Sequence, residues 1–198
     1  MNLKQSKIVL GSMMIAVLLC GCGSNTTFKA GDVDKNTISV NKKGVVRVAS
    51  VESFDKSYYD SAELEDYLNN VVNTYNDKKG EEVVELTSFE VADKTASAVF
   101  KYSGIEYYKE LNDVYADYMT VKEAITAGIL PEMLKDAESG KNVTLEEVAE
   151  NGSYHVLAIH EEFDVRVDGK IKYYDNCENI TKSEAHTKED VLSVIIFK

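Results

Sequence analysis

The chain has no tryptophan, one proline, three cysteines and three histidines in 198 residues. Its lone proline, Pro131, and the lack of repeats or low-complexity tracts leave no linker to divide it, so one domain is expected. Basic residues are in deficit, 22 Lys and Arg against 34 Asp and Glu, for a formal charge of −12. A surface of that sign repels phosphate backbones and anionic headgroups, which excludes nucleic acid as a partner. The apolar run Ile8 to Leu19 falls short of the ~20 residues that a spanning helix needs. H-E-x-x-H, C-x-x-C, G-x-S-x-G and glycine-rich phosphate loops are all missing. No catalytic constellation, metal or cofactor is therefore expected.

Three fragments of known motifs occur, and each breaks off. Asp32-Val33-Asp34-Lys35-Asn36 starts like a calcium loop, but Thr37 stands where glycine is needed and Lys43 where glutamate is. Ser53 to Lys56 fits S-x-x-K and Lys94-Thr95 fits K-T, yet Ala96 replaces the glycine of that element and no S-D-N follows. His155 and His160 are five apart, so on a strand they point to opposite faces and cannot share a metal.

What is present begins with a targeting segment. Lys4 and Lys7 precede the apolar run, no acid occurs up to Gly21, and small residues follow the run. "LCGC", Leu19 to Cys22, resembles the lipobox of bacterial lipoproteins, with an aliphatic residue at −3, a small one at −1 and then cysteine. Cys20 does not fit, because Leu19 would occupy the small position. The resemblance covers about the first 23 residues and is closest in look to lipoproteins of Gram-positive Firmicutes. It implies cleavage after Gly21, a diacylglyceryl group on Cys22 and an extracytoplasmic, membrane-held protein. Residues 1–21 are then a signal peptide, 22–35 a lipidated cysteine with a flexible polar tether, and 36–198 the domain. The processed chain keeps 20 basic and 34 acidic residues, a formal charge of −14. Cys177 remains the one thiol and reads as a buried structural group.

The domain reads as α+β, a mainly antiparallel sheet with several helices packed on one side. Thr37 to Phe54 reads as a hairpin around Lys42-Lys43-Gly44, pairing Val40 with Val46 and Ile38 with Val48. Asp168-Gly169 suggests a second hairpin, pairing Val165 with Ile171 and Phe163 with Tyr173. Asp60 and Gly80 bracket a helix with Leu64, Leu68, Val71 and Tyr75 at helical spacing. Strands follow at 83–91 and 95–102, and a helix is expected over 105–119 from Tyr108, Leu111, Tyr115 and Tyr118. Thr120 with Glu123 and Thr144 with Glu147 suggest two more helix starts, and Pro131 another. "VLSVIIFK" is apolar on both faces and reads as a central strand.

Tyrosine is the one functional signal beyond the leader: twelve residues, with doublets at 58–59, 107–108 and 173–174. Its apolar ring and polar tip suit recognition of sugars, peptides or proteins. Tyr58, Tyr59 and Tyr174 are the candidates for such a surface. The expected function is a lipid-anchored, non-catalytic binding module of the cell envelope, with an envelope protein or a glycan as partner. A small-molecule or glycan-binding lipoprotein, such as one serving a transporter, is the alternative, and a cell-wall enzyme a more distant one.

Overall fold

The computed structural model describes residues 26–198. The signal segment and Cys22 lie outside the described residues. The elements begin with β1 (Thr37–Val40) and β2 (Val46–Ser53), then helix α1 (Ser61–Lys79), β3 (Val84–Ala92) and β4 (Thr95–Tyr102). Next come α2 (Ile105–Asn112), β5 (Ala116–Thr120), α3 (Val121–Thr126), β6 (Met133–Asp136), β7 (Asn142–Thr144) and α4 (Leu145–Ala149). The chain closes with β8 (His155–Ile159), β9 (Asp164–Val167), β10 (Ile171–Asp175), β11 (Glu184–His186) and β12 (Ser193–Phe197).

The class is α+β, and the strands form two sheets of six. Sheet A runs β11-β9-β1-β2-β4-β3, and sheet B runs β5-β8-β12-β10-β6-β7. All pairings are antiparallel except β1 with β9. The sheets share one core, in which Ile38, Val46 and Val165 of sheet A join Leu157, Ile195 and Phe197 of sheet B. Helices α1 and α2 extend this core through Val72, Tyr75, Ile105 and Tyr108. The other face of sheet B buries Val156, Val194 and Ile196 with Val121 and Ala124 of α3 and Val148 of α4. Sheet A thus covers the inner face of sheet B, and α3 and α4 cover its outer face.

Local chemistry sets the elements that the sequence pattern anticipates. The β1–β2 register pairs Ile38 with Val48 and Val40 with Val46, and Gly44 takes the left-handed φ of 80° that the short loop needs. Asp60 caps α1 by accepting from the amides of Ala62 and Glu63, and Gly80 ends it at φ 74°. Thr120 with Glu123 and Thr144 with Glu147 form full capping boxes. β12 lies between β8 and β10 with all five residues buried.

Four expectations are corrected. Asp168-Gly169 is a corner between sheets: β9 pairs with β1 and β11, whereas β10 pairs with β12 and β6. A Cβ on Gly169 would collide with the Lys198 carbonyl, so the glycine serves close approach of two chain segments. The helix expected over 105–119 stops at Asn112, because Asp113 turns left-handed (φ 54°) and Ala116–Thr120 pairs with β8. Pro131 opens no helix; the chain bends there into β6. The segment expected as tether packs from Thr26 onward. Phe28 and Ala30 are buried against Ala49 and Val99 on the outer face of sheet A. Ser39 Oγ donates to the Thr26 carbonyl at 2.8 Å, and Ser88 Oγ accepts from the Ala30 amide at 2.7 Å. Asp32 closes a turn by accepting from the Lys29 amide.

Candidate functional site

Helix α1 is packed unevenly along its length. Val72 and Tyr75 in its second half are buried, whereas Leu64, Leu68 and Val71 stay half-buried and Tyr67 is 63% exposed. The cause lies opposite. Strand β4 presents Ala96 and Ala98 on the face toward the helix, and their short side chains do not fill the space. A groove of about 390 Å³ results, closed at its inner end by Phe100, Tyr102 and Tyr108.

The inner end is polar but well paired. Tyr102 and Tyr108 meet edge to face at 5.3 Å between ring centroids. Asn112 donates to the Tyr102 hydroxyl (3.3 Å) and to the Tyr108 carbonyl (2.8 Å). The Tyr108 hydroxyl donates to Glu161 Oε2 at 2.5 Å. Burial pushes the Tyr102 phenol up to about 12. Burial and then the Glu161 carboxylate raise Tyr108 further. Both phenols therefore stay protonated across the physiological range, Tyr108 as a neutral donor to Glu161 and Tyr102 as an acceptor from Asn112.

Glu161 also belongs to a second hollow, of about 670 Å³, where the end of β8 turns into β9. Asn36, Glu161 and Phe163 line both spaces, so the groove and this cleft are neighbours across these residues. Thr187 fixes the turn: its buried hydroxyl donates to the Glu161 carbonyl (2.6 Å) and accepts from the Phe163 amide (2.8 Å). The cleft wall carries Asp34, Glu161, Glu162, Asp164, Glu189 and Asp190, with Lys35 the one lysine or arginine among them. His186 sits between two of these acids, Nδ1 at 2.8 Å from Asp164 and Nε2 at 3.3 Å from Glu162. Among the described residues, no group of three or more His, Cys, Asp and Glu is arranged to hold a metal ion.

The tyrosines singled out from the sequence fall in two places. Tyr58 (78% exposed) and Tyr59 (42%) lie between β2 and α1, where Tyr59 packs tilted against Phe54 at 4.9 Å and meets Tyr58 edge to face at 5.0 Å. Tyr174 lies in the other sheet, on β10, half-buried opposite Ile195 and Lys135. Cys177 is half-buried, and its thiol, donating to the Asp175 carbonyl at 3.2 Å, is raised by burial to about 12. His155 pairs with the Tyr118 hydroxyl through Nδ1 at 2.8 Å, and burial lowers its basicity.

The acidic cleft was not foreseen. Its residues come mainly from two short segments, His160 to Asp164 ("HEEFD") and His186 to Asp190 ("HTKED"), each with one histidine and at least two acids. Pairing of β9 with β11 brings them together. The likeness of the two segments was the available signal. No helix among the described residues is long and apolar enough to cross a membrane. No family model, no curated protein and no solved structure matches this chain.

Proposed function

We propose that this chain is a lipid-anchored, extracytoplasmic binding module of the cell envelope, and that it holds its partner in the groove between α1 and β4. The anchor rests on the basic start, the apolar run and "LCGC" at 19–22. The binding role rests on one observation: Leu64, Leu68 and Val71 line an open groove when they could have been packed shut. Natural interiors leave few voids of that size, and an apolar hollow with a few placed polar groups is the common form of a binding site. Packing of Phe28 adds a consequence. Only four peptide steps separate Cys22 from Thr26, at most about 14 Å of reach, so the anchor would hold the outer face of sheet A beside the membrane.

Two measurements on the full chain test this. In a bacterial host fed an alkyne-bearing palmitate, the chain should take up label and sediment with membranes, and Cys22→Ala should abolish both. Thermal unfolding against peptides, sugars and cell-wall fragments should reveal a stabilising ligand, worth about 2.7 kcal/mol at a hundred times its Kd. Leu68→Gln should cancel that shift. A Cys22→Ala chain that still carries label, or a panel with no shift sensitive to Leu68→Gln, removes the corresponding half of the proposal. A second reading, glycan recognition, draws on the exposed Phe54–Tyr58–Tyr59 cluster. It requires oligosaccharides to give the shift and Tyr58→Ala to cancel it.

A further inference from the structure

We infer that the groove and the acidic cleft together take one peptide segment of a partner protein, with apolar side chains in the groove and lysine or arginine in the cleft. This rests on the groove being the binding site. Asn36, Glu161 and Phe163 border both hollows, so a segment that extends past these residues can reach from the groove to the cleft. Their characters differ sharply. The groove wall is mainly aliphatic and aromatic, with Ser50, Glu52 and Asn112 as polar groups, while the cleft wall sets six carboxylates and two histidines against one lysine.

Charge decides the sign of the occupant. An anionic ligand would strip water from these carboxylates and add repulsion, and neutral donors would replace that water only with weaker bonds, whereas guanidinium and ammonium groups satisfy them with charge-assisted hydrogen bonds. The formal charge of −14 on the processed chain adds attraction at longer range. Shape decides the class. Each hollow alone falls within the roughly 300–1,000 Å³ of a small-molecule site. A compact amine would fill one and leave the other in water. A peptide presents different side chains in succession and matches an elongated surface of two characters. Glu161 is the hinge between them, held by Tyr108 where the apolar wall ends.

The probe is a displayed library of random dodecapeptides, selected on the immobilised full chain in nonionic detergent. The expected result is enrichment of sequences that combine lysine or arginine with large apolar residues. The best of these, labelled and followed by fluorescence anisotropy, should bind at least tenfold more weakly to Leu68→Gln and to Glu162→Gln/Glu189→Gln. Binding should also weaken steeply between 50 and 500 mM salt. Glu162 and Glu189 are exposed, so their replacement tests charge without touching the core, and circular dichroism checks each variant's fold. Enriched sequences that are neutral or acidic, or that ignore the double glutamine variant, overturn the basic-peptide inference; the groove stands if Leu68→Gln still abolishes binding. No enrichment over a blank support overturns both. Self-association of the chain that Leu68→Gln abolishes would give the groove to a second copy and also overturn the inference.

Discussion

Strand β12 and helix α1 both turn apolar side chains inward, and these meet opposite fates. In β12, Ile195 and Phe197 enter the core between the sheets while Val194 and Ile196 are covered by α3 and α4, so every residue is buried. In α1, Leu64, Leu68 and Val71 face Ala96 and Ala98 and remain half-buried. For the inward-facing leucines of α1, the size of what stands opposite, Ala96 and Ala98, sets their exposure. A close-packed strand loses dispersion contacts with any change of shape, whereas a groove already lacks them on one side. The first region is scaffold, and the second has room for something else.

The largest test of that contrast is removal of Val191–Lys198. It strips a strand buried on both faces and should abolish the cooperative transition in differential scanning calorimetry. A milder break, Ile196→Ala, should cost about 2–5 kcal/mol in urea unfolding, as buried large-to-small changes do. Leu68→Ala should cost less than half of that, since Leu68 starts half-exposed. The sharper version adds volume. Ala158→Leu, on the packed outer face of sheet B, should destabilise by about 1–3 kcal/mol through overpacking. Ala98→Leu places the same side chain into the groove and should be neutral or stabilising by up to about 1 kcal/mol. Equal losses from the two alanine variants would show that the groove closes in solution.

Which features were legible follows from how local their causes are. The β1–β2 register, the caps of α1, α3 and α4 and the two-faced burial of β12 depend on nearby residues and matched expectation. The corner at Gly169 did not. Alternation in 163–174 is the same whether β9 turns back on β10 or leaves for the other sheet, and the deciding contact, with Lys198, lies far along the chain. Tyr118 sits at helical spacing from Tyr108, yet β8 supplies the ladder that makes it strand, and Tyr115 lies just before that strand. Tyr58 and Tyr59 are exposed, as candidates for recognition require. The groove was hidden because half-burial of Leu68 depends on two alanines in another element. The cleft was hidden because two unremarkable acidic segments gain meaning only once β9 and β11 pair.

Smaller effects probe how the scaffold side is held. The boxes at Thr120 and Thr144 fix the helices that cover the outer face of β12, and alanine at either should cost about 1 kcal/mol. A loss near zero at both would mean that packing against Val156 and Ile196 alone positions α3 and α4.

Cys177 offers the finest test, because it reports on packing beside β12 without changing it. Its thiol also reaches toward the Val194 carbonyl, and burial raises its pKa from 9.0 to about 12. At pH 8 the thiolate fraction should be about a thousandfold lower than in the unfolded chain, so iodoacetamide should label Cys177 only after urea unfolding. The sign of the linkage follows. A raised acid leaves stability intact below the unfolded value near 9.0 and removes it as pH climbs toward 12. The phenols of buried Tyr102 and half-buried Tyr118, also raised to about 12, and of Tyr108, raised further, push the same way but start from 10.0. Between pH 9 and 10 the decline should therefore belong mostly to Cys177, and Cys177→Ser should flatten it. Rapid labelling of the folded chain at pH 8 would show that this end of sheet B opens far more readily than the close packing of β12 implies.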